Sequence, residues 1–159
     1  MLLKTIGLVT VFLACCMAGE ILAQKERKKS AFCADVCELL ACLRDGIASS
    51  RLPVGEILCT DERLKPTLFS GCADRYALLL RLRALQKTCG EDELCERSLR
   101  FLEQLGKSGD YRSETARCEE LLAFARRQRD LAQEAVEKKA TLYGKLGAIA
   151  GAAVCVLLA

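Results

Sequence analysis

The stretch AFCADVCELLACLRDG, residues 31–46, decides the fold. Phe32, Cys33, Val36, Cys37, Leu40 and Leu43 recur along it in steps of three and four, the interval at which one face of an α-helix turns inward. Ser30 stands where an N-cap belongs and Gly46 where a helix stops. Cys33 and Cys37 lie four apart and point the same way, so each is better placed to reach another element than to reach the other.

Working outward, the same period returns three times. A second helix is predicted from Ser70 to Thr88, lined by Tyr76, Leu79, Leu80, Leu82 and Leu85, with Gly90 past its end. A third runs from Asp92 through Leu94, Cys95, Ser98, Leu99, Phe101, Leu102 and Leu105 to Gly106. Gly106 to Asp110 is the clearest linker. A fourth starts near Ser113 and carries Cys118, Leu121, Leu122, Ala125, Ala132, Val136 and Tyr143 on its face. Residues 48–66 hold both prolines and Gly55, and read as a loop with a turn of helix around Ile57 to Leu64. No run alternates with period two, and aromatics are only 5%. The expectation is an all-α protein: a small disulfide-stabilised bundle of about four helices, the last one long and running into an apolar tail.

The disulfide expectation comes from the cysteines. Of eleven, Cys15 and Cys16 fall near the N-terminus and Cys155 near the C-terminus. The other eight are Cys33, Cys37, Cys42, Cys59, Cys72, Cys89, Cys95 and Cys118. An even number behind a secretory leader reads as a disulfide framework. The rivals are buried thiols serving as small apolar side chains, and zinc, which prefers paired C-x2-C to C-x4-C sets that this spacing does not supply. We expect no metal and no cofactor.

The ends read as addresses. Residues 1–23 have the form of a signal peptide, with Lys4 before an apolar run from Ile6 to Ala18 and small residues at Ala18 and Ala23. An uncleaved membrane helix is the competing reading, though Glu20 cuts the run short of the ~20 residues a span takes. A bacterial lipoprotein signal at Cys15 or Cys16 fits less well. Residues 24–31 form a basic arm, whose Lys25, Arg27, Lys28 and Lys29 suit an anionic surface of glycans or lipid headgroups. Residues 32–110 form the Cys-rich domain. Residues 111–145 form a charged helix, either a fourth bundle helix or a stalk. Residues 146–159 (LGAIAGAAVCVLLA) form an uncharged tail with three readings: a GPI-attachment signal, a short membrane anchor, or a buried helix end. Within it Gly147 and Gly151 sit i, i+4, as in small-residue faces that let apolar helices pack closely.

Composition removes much chemistry. There is no His and no Asn, so imidazole catalysis, His metal ligation and N-glycosylation are absent. Lys plus Arg exceed Asp plus Glu by 24 to 21, a net charge of +3 that sits in the arm rather than on one face, so nucleic acid is not expected. Glu91 with Glu93, and Glu119 with Glu120, read as solvated helix faces rather than acid–base pairs. Taken together, the sequence predicts a non-catalytic, Cys-rich helical protein of the secretory pathway. It would be displayed at the cell surface through its C-terminal membrane attachment and would bind an extracellular protein or glycan. The alternative is a freely secreted helical ligand or small-molecule carrier with its tail buried in the core.

Overall fold

The computed structural model describes residues 2–49, 53–89, 92–107 and 110–158. Among them the chain is all-helical, with six α-helices: α1 (Leu2–Ser49), α2 (Val54–Thr60), α3 (Arg75–Cys89), α4 (Asp92–Gln104), α5 (Tyr111–Ala135) and α6 (Thr141–Leu158). A 3-10 turn, Glu62–Leu64, follows α2, and a π-helical turn, Val136–Ala140, joins α5 to α6. Six helices replace the expected four or so, because the turn expected around Ile57 forms a helix of its own, α2, and the predicted fourth helix is divided by the π turn into α5 and α6. The chain divides into two compact units. Residues 31–130 form a head, and residues 1–30 with 131–159 form a terminal unit.

In the head, Phe32, Val36, Leu39, Leu40 and Leu43 of α1 are fully buried with Phe69, Leu78, Leu82, Leu94 and Leu102. Burial of one stripe per helix makes the core, and Phe32, Val36, Leu40, Leu43, Leu82, Leu94 and Leu102 are positions the period singles out. Leu39, Phe69 and Leu78 are not among them, and the expected face of α3 is corrected: of its five residues only Leu82 is buried, while Tyr76 and Leu80 are 69% and 50% exposed. The predicted ends fare differently. Ser30 does not cap a helix; it lies within α1. Gly46 does not stop one either. Its missing Cβ lets α2 approach: a Cβ there would stand 2.5 Å from Ile57 Cδ1 and 2.6 Å from Cγ1. Gly46 is thus a packing glycine in the last turn of α1.

The start of α3 also moves, from Ser70 to Arg75. Asp74 supplies the cap, its Oδ1 accepting from Ala77 N at 2.7 Å. Residues between the 3-10 turn and α3 are held by side chains from either side. Leu68 N donates to Asp35 Oδ2 at 2.9 Å, and Leu68 O accepts from Arg81 Nε at 3.1 Å. Asp110 caps α5, taking the Arg112 and Ser113 amides at 3.1 and 3.3 Å. Gly106 does end α4 as expected, with φ +80°, the left-handed conformation only glycine adopts without strain. The acid that holds this turn is Glu114, 7% exposed, whose Oε1 accepts from Gly106 N at 2.7 Å. Residues 108 and 109 of the predicted linker lie outside the described residues.

The terminal unit is a pair of antiparallel helices. A Cβ on Gly19 would meet Tyr143 O at 2.6 Å, one on Gly147 would meet Cys15 O at 2.9 Å, and one on Gly151 would meet Phe12 Cδ2 at 2.8 Å. As one number rises the other falls, so the N-terminal part of α1 and α6 run in opposite directions. Gly147 and Gly151 are the close-packing face that their spacing suggests. The expected leader therefore forms one half of this unit and the expected tail the other.

Candidate functional site

Among the described residues there is no disulfide. Cys33, Cys37, Cys42, Cys72, Cys95 and Cys118 are buried in the head, and Cys59 is exposed. The Cys89 side chain lies outside what is described. The expectation of a disulfide framework is therefore corrected. The six buried side chains fill apolar volume. Burial pushes the Cys118 thiol up to about 12, and its Sγ donates to Leu40 O at 3.4 Å. Burial likewise pushes Cys42 up to about 12, helped by its hydrogen bond to Asp61. Cys37 and Cys72 are raised by burial as well. None of these four is poised as a thiolate nucleophile.

Cys42 sits under a cluster of charges. Asp61 accepts from Arg63 N at 3.0 Å and from Arg63 Nη2 at 2.7 Å, while Arg63 Nη1 reaches Asp45 Oδ2 at 3.1 Å. Arg44 Nη2 holds the other oxygen of Asp45 at 2.6 Å. Arg63 pulls the Asp61 carboxyl well below the ordinary carboxylate range, and Arg44 does the same, less strongly, for Asp45. Every charge in this cluster is answered, so it clamps the 3-10 turn to α1 and leaves no group free to react. Asp35 shows the opposite case: burial raises it, and the Leu68 amide only partly offsets that.

Two of the exposed surfaces have a chemistry of their own. One is the outside of the terminal unit. Val9, Leu13, Met17 and Ile21 on α1 are all more than half exposed, with Ile21 at 63%. Ile149 and Val156 on α6 are 64% and 78% exposed, and Leu142 and Leu146 about half. The four basic residues predicted to touch an anionic surface also belong here. Lys25, Arg27 and Lys28 are exposed and Lys29 is half-buried, all on helix α1 rather than on an irregular arm. Arg27 lies 3.4 Å from Glu20. Lys138 and Lys139 on the π turn are exposed too, and the antiparallel register brings them to the same end of the unit.

The other open surface is a groove of about 390 Å³ on the head, between α4 and α5. Arg97 from α4 lies over the Phe124 ring of α5, with Cζ 4.1 Å from the ring centre, and Glu93 accepts from its Nη2 at 2.7 Å. Phe101, Arg117, Glu120 and Arg127 complete the walls. The sequence reading missed this feature. It placed Phe101 on a core face and Arg127 on a solvated one, and no one-dimensional signal tells which two helix faces will border each other. Of the acid pairs, Glu93, Glu119 and Glu120 are exposed as expected, and Glu91 lies outside the described residues.

Residues 4–159 match the family described as Stage III sporulation protein AB. The chain belongs to that family. No curated protein and no solved structure matches it. Membership in Stage III sporulation protein AB corrects the functional expectation. A sporulation protein points to a bacterial cell, not to the eukaryotic secretory pathway and its surface. GPI attachment, cell-surface presentation, a secreted ligand and a secreted carrier are accordingly set aside. Among the described residues, no helix is long and apolar enough to cross a membrane. Nor do those residues bring together three or more Cys, Asp or Glu able to hold a metal ion.

Proposed function

We propose that this chain serves stage III of sporulation as a non-catalytic helical component, held against a membrane by its paired terminal helices. The family supports the stage. The lack of His, with each buried acid and base of the head committed to a structural bond, supports a role without catalysis.

The observation that carries the membrane contact is the apolar exterior of the terminal unit. A protein in water rarely exposes a contiguous apolar patch beyond a few hundred Å². Here two helices meet backbone to backbone through glycines and turn their large side chains outward. That is the reverse of a water-soluble helix pair, and it is the arrangement that works when the medium is itself apolar, because packing of small residues rather than water exclusion then holds the helices together. The basic residues at one end suit anionic headgroups, each contributing roughly 1 kcal/mol near a charged surface. The embedding element is the pair; neither helix is asked to cross alone.

Two measurements test this reading. The full chain is expected to float with vesicles of phosphatidylethanolamine and phosphatidylglycerol in a density gradient. Ile21→Glu with Ile149→Glu is expected to leave it at the bottom. Recovery of the unaltered chain as a stable, lipid-free species that ignores vesicles would refute the membrane contact. Deleting the gene in its spore-forming host is expected to stop spore formation, and undiminished heat-resistant spore counts would refute the sporulation role.

A further inference from the structure

The groove between α4 and α5 has a chemistry that neither the core nor the membrane contact accounts for. Two half-buried phenyl rings, Phe101 and Phe124, sit among three guanidinium groups, Arg97, Arg117 and Arg127, with Glu120 as the acid in its lining. Arg97 is already engaged by Glu93 and by the Phe124 face, so it acts as a fixed wall. Arg117 and Arg127 are exposed and have no ion pair among the described residues. They lie on one face of α5, with Phe124 between them, and ten residues of helix put them roughly 15 Å apart.

We propose that this groove is a docking site for an acidic amphipathic helix of a protein partner. An apolar side chain of the partner would rest on Phe101 and Phe124, and carboxylates spaced about three helical turns apart would meet Arg117 and Arg127. Charge complementarity identifies the occupant. The site offers two cations, without an ion pair among the described residues, flanking an apolar patch, and the fork geometry of guanidinium matches a carboxylate. A nucleic acid is the rival occupant, since aromatic rings beside arginines also stack bases. Its continuous phosphates, however, would run over Glu120 and past Glu93, and these carboxylates would repel them. A helix with separate acids avoids both. The proposal concerns the head alone and stands or falls independently of the membrane contact.

The test uses the full chain in detergent micelles and a fluorescein-labelled helical peptide bearing a leucine stripe flanked by glutamates. Binding is read by fluorescence anisotropy. Arg117→Glu with Arg127→Glu changes only exposed side chains and is expected to weaken binding about tenfold, the sum of two exposed charge pairs. Its far-UV circular dichroism and vesicle flotation should be unchanged. The same peptide with lysines for glutamates should bind the double variant better than it binds the parent chain. The absence of binding to the parent, equal binding to parent and double variant, or tighter binding of a single-stranded oligonucleotide at the same salt would each overturn the proposal.

Discussion

Gly46→Ala sets two known effects against each other at one position. Replacing a helical glycine by alanine ordinarily stabilises a helix by up to about 1 kcal/mol, and less near an end. Gly46 lies three residues from the end of α1, so the gain is at the low side of that range. Against it stands the new methyl group. It would meet Ile57 at Cδ1, Cγ1 and Cγ2, at 2.5, 2.6 and 3.0 Å. Ile57 is 4% exposed and anchors α2, so it has little room to turn away. Overpacking of this kind costs about 1–3 kcal/mol. The clash wins, and the variant should lose about 1–2 kcal/mol. For a head of this size that is a fall in melting temperature of roughly 4–8 °C per kcal/mol. Thermal unfolding of the full chain in detergent, followed by circular dichroism, measures it. Ile57→Ala supplies the control. Alone it should cost about 2–5 kcal/mol, but in its presence Gly46→Ala should cost nothing or become stabilising. A coupling of at least about 1 kcal/mol between the two is expected. If Gly46→Ala stabilises the unaltered chain, the glycine is merely a weak helix residue and the packing explanation fails.

Other positions offer comparably sharp outcomes. Ser98 is 1% exposed and its hydroxyl has no hydrogen-bond partner among the described residues; Ser98→Ala should therefore raise stability by about 1 kcal/mol in a denaturant titration, and a loss of that size would mean the hydroxyl is bonded. Asp61 titrates below its ordinary value of 3.8 when folded because Arg63 bonds its charged form. Its stabilisation is thus complete above about pH 5 and lost as pH falls through the folded value. The parent chain should exceed Asp61→Asn by roughly 1 kcal/mol near neutrality, since Arg63 is about half exposed, and the gap should close in acid. A gap that widens on acidification would show the sign to be wrong. In the terminal unit, Gly147→Leu should force Cys15 and its neighbours away from α6. Amide hydrogen exchange across residues 12–23 and 142–151 should quicken about tenfold in micelles, whereas unchanged protection would contradict the close seam.

How far these features are legible in the sequence depends on whether a signal is local. The helices are legible because burying a stripe dictates a period, and Val36, Leu40 and Leu43 satisfy it together only on a helix. Helix ends are less so. Ser70 and Asp74 are both good caps by type, and what chooses Asp74 is the segment before it, pinned at Leu68 by Asp35 from α1 and by Arg81 from α3 itself. Gly46 has the same ambiguity: a glycine late in a helical stretch signals a stop unless a neighbour's side chain occupies the place of its Cβ, and Ile57 is eleven residues away. The cysteines illustrate a different failure. Their number and the apolar leader fit oxidised pairs, yet their helical spacing fits equally well a set of small apolar side chains, and Cys118 bonded to the Leu40 carbonyl is a residue of that second kind.

The two open surfaces follow the same division. The outward-facing leucines and isoleucines of the terminal unit could be read as apolar from the chain alone, but their outward direction could not. It depends on Gly19 and Gly147 taking the inner positions, so that the backbones touch and the large side chains have nowhere else to go. The groove on the head needs still more. Arg97 and Phe124 are twenty-seven residues apart, and only the packing of α4 beside α5 puts a guanidinium over a ring. A period identifies which face of a helix is buried, but not what it shares its remaining edge with. In this protein that edge is where the charge of Arg117 and Arg127 collects, and it is there, rather than among the buried thiols, that a partner has something to bind.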